Sequence, residues 1–213
     1  DKNIDVLVVD DNSPDGTSSI VSQKEVIFKN RVFLIKRLDK KGLGTAYIEG
    51  FRWALNRKYD FIVSMDADFS HNPSELTKMI KYFSNGVDVV VGSRYLNGVS
   101  VVNWPIGRIF LSYIAQIYVR LITGMPINDP TSGFVAYSKE SVNALNLDKF
   151  RFIGYAFQIE MKYKIWKKKF KLKEHQIIFM NRELGESKLD KKIILEAVFG
   201  VLKLRLDSVL KRL

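Results

Sequence analysis

Four apolar runs rich in β-branched residues recur along the first part of the chain, at positions 4–10, 32–37, 61–66 and 87–95. Runs of Val, Ile, Leu and Phe without strict polar alternation are the pattern of strands buried on both faces. Between them the sequence changes to helix-forming chemistry: a start at Thr17 or Ser18, a helical stretch near 45–56 and another near 73–83. Strand and helix in alternation build parallel units whose crossover helices cover the sheet. The expected fold class is α/β, a mainly parallel sheet with helices on both faces. In open sheets of this kind, ligands bind beyond the carboxyl ends of the strands.

Those ends carry the charged residues of interest. The first run stops in Asp10-Asp11-Asn12-Ser13-Pro14-Asp15-Gly16-Thr17, dense turn chemistry at a position where a ligand loop or an ordinary loop both fit. The third run delivers Asp66 and Asp68 before Pro73. Side chains at i and i+2 of an extended chain point to one side, so the two carboxylates offer four hard oxygens to one point. A divalent cation relieves their repulsion, and Mg²⁺ favours one or two carboxylates with water and substrate phosphates in the other positions. The implied ligand is a nucleoside diphosphate. A solvated turn fits the same tripeptide, as does a phosphatase whose first Asp is the nucleophile, although Phe69 stands where that chemistry places a small turn residue. Lys41-Gly42-Leu43-Gly44 precedes a helix, where free N–H groups and the dipole favour an anion; the same glycines equally serve a tight turn. Arg94 closes the fourth run, and its planar fork suits a second phosphate.

Composition narrows the class. With 213 residues, 46% of them hydrophobic, the chain can bury a full core, which excludes disorder. Cysteine is absent, so disulfides and thiolate metal sites are excluded. The longest uncharged apolar stretch of helical character, 109–119, is too short for a bilayer, so no membrane span is expected. Of the formal net charge of +11, most sits in residues 161–213, with 15 Lys and Arg against 6 Asp and Glu. Such a basic region suits nucleic acid or an anionic leaflet. No zinc spacing, RNA-binding aromatic signature or recognition-helix pattern accompanies it, and its basic residues interleave with apolar ones. Nucleic acid is therefore not the expected partner.

Seven motifs occur in order: Val9-Asp10-Asp11-Asn12-Ser13-Pro14-Asp15-Gly16-Thr17, Lys41-Gly42-Leu43-Gly44-Thr45-Ala46-Tyr47, Met65-Asp66-Ala67-Asp68-Phe69-Ser70-His71-Asn72-Pro73, Gly92-Ser93-Arg94-Tyr95, Asp129-Pro130-Thr131-Ser132-Gly133-Phe134, Gly154-Tyr155-Ala156-Phe157-Gln158-Ile159-Glu160 and Arg182-Glu183-Leu184-Gly185-Glu186-Ser187-Lys188. Together they resemble the dolichol-phosphate (polyprenol-phosphate) mannose synthases, family 2 glycosyltransferases with the GT-A fold. The resemblance implies inverting transfer of mannose from GDP-mannose to the phosphate of a dolichol-type lipid, with Mg²⁺ or Mn²⁺. It places Asp10, Asp11, Asp15, Lys41, Gly42, Asp66, Arg182 and Lys188 at the donor. Asp66 and Asp68, with Ser70 as a further candidate, would hold the metal. Arg94, Arg108 and Ser112 would bind the acceptor phosphate, and Asp129 would orient the site beside Arg94 and Asp68. A UDP-glucose transferase to polyprenyl phosphate or an inactive family member would show much the same pattern.

Three departures accompany the resemblance. The family's N-terminal strand and its Pro-Thr-Tyr-Asn-Glu-like segment have no counterpart, so the domain, residues 1–190, is expected to be incomplete there. Ser70 stands where some members carry Gln, and Gln116 and Val135 where Asn and Arg are frequent. Residues 191–213 read as an amphipathic helix in which Glu196, Lys203 and Asp207 form a narrow polar stripe and apolar side chains cover most of the rest. With basic residues at its borders, it is expected to lie on the cytoplasmic face of a membrane as a peripheral anchor, with membrane-anchoring subunits as further partners.

Overall fold

The computed structural model describes residues 4–181 and 191–210, without the side chains of 191–196. The predicted alternation is present. Strand β1 (Val6–Asp10) leads to helix α1 (Thr17–Ile27), β2 (Val32–Lys36) to α2 (Leu43–Leu55), and β3 (Phe61–Ser64) to α3 (Glu75–Ile80), with β4 (Val89–Ser93) following. Beyond them come β5 (Val101–Val102), α4 (Ile106–Thr123), β6 (Val135–Ser138), α5 (Lys139–Asn143), α6 (Ala156–Lys167), β7 (Leu172–Gln176), β8 (Phe179–Met180) and α7 (Lys191–Val209).

Pairing is mainly parallel, as expected: β1 with β2, β4 with β7, and β5 with β8. The exception is β6, which inserts antiparallel between β3 and β4 and gives the order β3-β6-β4-β7. Among the described residues, β1 and β3 each end their sheet. Helix α2 packs on both.

Alternate residues of β4 and β6 enter two cores, because successive side chains of a strand face opposite ways. Val89, Val91, Val135 and Tyr137 join Phe157, Ile159 and Tyr163 of α6 and Val201 and Leu204 of α7. Val90, Phe134 and Ala136 join Met79 of α3 and Ile177. Helices thus cover both faces of the central strands.

Two glycines permit close approach. A Cβ on Gly44 would stand 2.7 Å from the Phe152 carbonyl oxygen, and one on Gly200 would stand 2.6 Å from the Phe152 ring. Residues 151–154 are thereby sandwiched between α2 and α7. The wheel reading of α7 needs correction. Asp207, expected in a polar stripe with Lys203, is buried and paired with Arg151, while Lys203 is exposed. Val201 and Leu204 pack inward and Phe199, Leu202, Leu206, Val209 and Leu210 remain exposed. The ion pair with the exposed Arg151 lets the helix turn a charge inward and an apolar stripe outward. By length and composition alone, α4 is long and apolar enough to cross a bilayer, and 17% of it is buried.

Candidate functional site

At the end of β3, the backbone N–H of Asp66 donates to His71 Nδ1 at 3.1 Å. His71 is buried, stacked on Phe134 at 4.9 Å and edge-on to Phe179 at 5.3 Å. Burial pushes its pKa down against the pull of Asp66, so the ring stays neutral and keeps Nδ1 as an acceptor. Asp68 Oδ1 accepts from the N–H of Ser70 at 3.1 Å and from its hydroxyl. Ser70 is fully buried, so it orients Asp68. The Asp66 carboxylate lies against the backbone of Gly133, where a Cβ would come within 3.4 Å of Oδ1. Among the described residues no third acidic, His or Cys side chain joins these two carboxylates. Such a donor set of hard oxygens suits a hexacoordinate divalent cation that takes its other ligands from water and phosphate.

Arg94, at the end of β4, is committed to Asp129. Its Nε and Nη2 each donate at 2.7 Å to the two carboxylate oxygens, and its backbone N–H donates at 3.0 Å. Nη2 also donates to Thr131 Oγ1 at 2.8 Å, which leaves Nη1 as the nitrogen outside these bonds. Asp129 is fully buried. Burial would push its carboxyl up, but the Arg94 guanidinium holds it below the usual range. The expectation of Arg94 as an acceptor clamp is therefore modified: most of its fork is occupied by the residue expected to orient the site.

Helix α4 presents a stripe at four-residue spacing to the same region. Arg108 Nη1 donates to Asn181 Oδ1 at 3.2 Å, Ser112 Oγ accepts from Tyr95 O–H at 2.7 Å, and Gln116 Nε2 donates to Thr131 Oγ1 at 2.8 Å. Arg108 stacks over the Trp104 ring at 4.0 Å, and Arg94 lies 5.6 Å from that ring. Two guanidiniums around one indole make a concentrated cationic wall. Trp104 escaped the sequence reading; its signal was the aromatic directly before the Pro that starts α4.

Asp10 ends β1, Asp11 and Asp15 lie between it and α1, and Lys41 and Gly42 directly precede α2. Asp10 is buried and spent on its own loop: burial would raise its pKa, but Ser13 and Ser18 bond the carboxylate and hold it low. Asp11 pairs with Arg37, whose Nε donates at 2.5 Å and whose Nη1 reaches Thr45 Oγ1 at 2.8 Å, so Asp11 is tied to the start of α2. Arg37 was not read as a site residue, although it follows β2 at the same sheet edge. Exposed Asp15 accepts from Thr17 N–H at 3.0 Å, at the first residue of α1. Gly42 takes a positive φ and lies under Ile153, and the Gly44 N–H donates to Ile153 O at 2.8 Å, so part of the α2 N-terminus is already bonded. Lys41 is exposed. Arg182 and Lys188 lie outside the described residues.

Residues 1–145 match the family model Glycosyl transferase family 2. The polyprenol monophosphomannose synthase of Mycolicibacterium smegmatis is 41% identical over 198 residues, 93% of this chain and 75% of that protein. The undecaprenyl-phosphate mannosyltransferase of Micrococcus luteus is 41% identical over 197 residues, 92% of this chain and 80% of that protein. The dolichol-phosphate mannosyltransferase of Pyrococcus furiosus is 39% identical, and the chain spans 55% of its length. Among solved structures, glucosyl-3-phosphoglycerate synthase from Mycobacterium tuberculosis in complex with Mn²⁺, UDP-glucose and phosphoglyceric acid superposes with a TM-score of 0.62 at 16% identity, covering 93% of this chain and 67% of that one. That likeness is one of fold, the GT-A fold.

Proposed function

Because this chain belongs to glycosyl transferase family 2, and to its polyprenyl-phosphate mannosyltransferase branch, we propose that it transfers mannose from GDP-mannose to the phosphate of a polyprenol or dolichol lipid, with inversion. The observation that carries this reading is the Arg94–Asp129 fork. An alcohol acceptor needs a base, and the buried carboxylate at the centre of this site is held ionised and bonded by Arg94. A phosphate monoester carries between one and two negative charges at neutral pH and attacks without a base. What remains is positioning of two anions and stabilisation of the departing diphosphate, which preorganised charges supply. Asp66 and Asp68 would hold Mg²⁺ or Mn²⁺, whose chemistry here is neutralisation of the leaving diphosphate. Arg108, with the free edge of Arg94, takes the acceptor phosphate. The test is a transfer assay with GDP-mannose and UDP-glucose against a short polyprenyl phosphate. Arg108→Ala is expected to weaken acceptor use about tenfold to a hundredfold with donor affinity little changed, since one charge-assisted fork is lost. Equal use of UDP-glucose, or collapse of donor affinity in Arg108→Ala, contradicts the assignment.

The lipid acceptor also accounts for the outer surface. Helix α4 exposes Ile106, Phe110, Tyr113, Ile114, Ile117 and Leu121 on the side away from its polar stripe, and α7, packed beside it, exposes Phe199, Leu206 and Val209. This surface rests on the membrane, with α4 lying in the interface because Arg108, Ser112 and Gln116 are held by the protein. The full chain is expected to co-sediment with anionic vesicles and to be released only partly by salt. Phe110→Glu combined with Leu206→Glu should reduce binding tenfold or more, since each apolar side chain withdrawn from lipid forfeits about 1.5–3 kcal/mol at full burial. Attachment to RNA or DNA that salt removes steeply, with no preference for vesicles, would favour nucleic acid instead.

A further inference from the structure

The proposed reaction gives no role to Lys162, a buried charge on α6. Its side chain is fully buried, and Nζ donates to Ser132 O at 2.7 Å, to Gln158 O at 3.0 Å and to Gln158 Oε1 at 3.3 Å. Three acceptors match the three N–H bonds of an ammonium, and all three are neutral. The charges that act on it are Asp129, which attracts, and Arg94, which repels. Packing alone does not call for an ammonium here, because burying one on neutral partners is costly and Met would fill the space. The turn it bonds explains the cost. Thr131 holds Arg94, Ser132 Oγ donates to Gly92 O at 2.6 Å, Ser64 Oγ donates to Gly133 O at 2.8 Å, and Gly133 lies against Asp66. One turn therefore touches the Arg94–Asp129 fork on one side and the Asp66 carboxylate on the other. Lys162 anchors it from behind.

We propose that the Lys162 ammonium is a positioning group for transfer: by holding the Ser132 carbonyl it fixes the spacing between Asp66 on the donor side and the Arg94–Asp129 fork on the acceptor side, so that turnover requires its protonated form. The role rests on the reaction proposed above. Burial lowers Lys162 from 10.5 to about 7, so one of the three donors is lost close to neutrality, while Asp129 and Arg94 remain charged on either side of that range.

The experiment measures kcat and KM from pH 5.5 to 9 for the wild type and Lys162→Met, and follows the Lys162 Nζ titration by ¹⁵N NMR in the wild type. The acceptor's own second ionisation, near 6, is common to both proteins. Wild-type kcat is expected to fall at least tenfold on the alkaline side with a midpoint that tracks Nζ, with KM changed less than threefold. At pH 6, Lys162→Met should show kcat lower by about tenfold to a hundredfold, the loss expected from a displaced site, and no alkaline limb of this origin. It should be folded there. A lysine with a depressed folded-state pKa destabilises fully below about 7 and is relieved as pH rises toward 10.5, so removing it cannot cost stability through charge at pH 6. Wild-type kcat and an unchanged alkaline limb in Lys162→Met overturn the proposal, as does wild-type turnover that stays flat across the Nζ titration. The latter comparison needs no variant and decides the matter if Lys162→Met does not fold. Absence of transfer by the wild type with every donor sinks the reaction reading instead. In that case the affinity for GDP or UDP with Mn²⁺ is expected to drop about tenfold as Nζ deprotonates, and a flat affinity overturns the role of Lys162.

Discussion

Asp129→Ala is expected to abolish detectable transfer and to lower the unfolding free energy by about 3–5 kcal/mol, the cost of leaving one member of a buried ion pair unpaired. Asp129 is fully buried and Arg94 nearly so, and three hydrogen bonds join them. Removing the carboxylate strands the guanidinium among Tyr95, Trp104 and Phe179, each with its ring centre within about 5.6 Å. Urea unfolding reads the stability. A second variant separates fold from function: Asp129→Leu combined with Arg94→Met replaces the pair with apolar groups and should recover most of the lost stability without recovering transfer. If Asp129→Ala unfolds at the wild-type urea midpoint, the pair is not the buried anchor described. If the double variant transfers sugar normally, the fork has no part in the reaction.

Asp68→Asn is expected to act on activity alone. Asp68 is half-buried at the end of β3, and the Ser70 N–H and hydroxyl that orient it can bond an amide oxygen equally well, so stability should change by less than about 1 kcal/mol. An amide oxygen is a poor substitute for a carboxylate toward a hard divalent cation. Loss of a preorganised charge on the leaving diphosphate should lower kcat/KM on the order of 10²–10³-fold. Excess EDTA should reduce the wild type to a similar level, with Mn²⁺ restoring the wild type far better than the variant. Full activity of Asp68→Asn, or of the wild type in EDTA, removes the metal from the site.

These two effects divide along what could be read in the chain. Asp68 was legible because Asp66 and Asp68 lie two residues apart directly after an apolar run, but β3 ends at Ser64 and both carboxylates lie in the irregular segment beyond it, so strand alternation does not set their direction. Asp129 was named through its motif, but its partner was not: Arg94 was expected to bind substrate phosphate, and the structure gives most of its fork to a carboxylate thirty-five residues away. Asp10 and Asp15 show the same limit in reverse. Their positions in a turn-rich loop were clear, but whether such carboxylates face a ligand or cap their own loop depends on distances of a few ångströms, and here they bond Ser13, Ser18 and Thr17.

The sequence by itself determined β1 to β4, the helices between them, the acidic and basic residues at the strand ends and the helical character of 109–119 and of the C-terminal segment, because hydrophobic period and turn chemistry act over a few neighbouring residues. Only the tertiary structure decided that β6 enters antiparallel between β3 and β4. Its four residues, Val-Ala-Tyr-Ser, are buried on both faces and carry no directional signal. The tertiary structure also turned Asp207 inward to Arg151, left an apolar stripe of α7 outside, and sealed Lys162 behind the turn at 131–134. Charges in a folded chain choose partners by proximity in space, where a neighbouring opposite charge or a shell of carbonyls outweighs the cost of leaving water, and such proximity is set by packing between segments far apart in sequence.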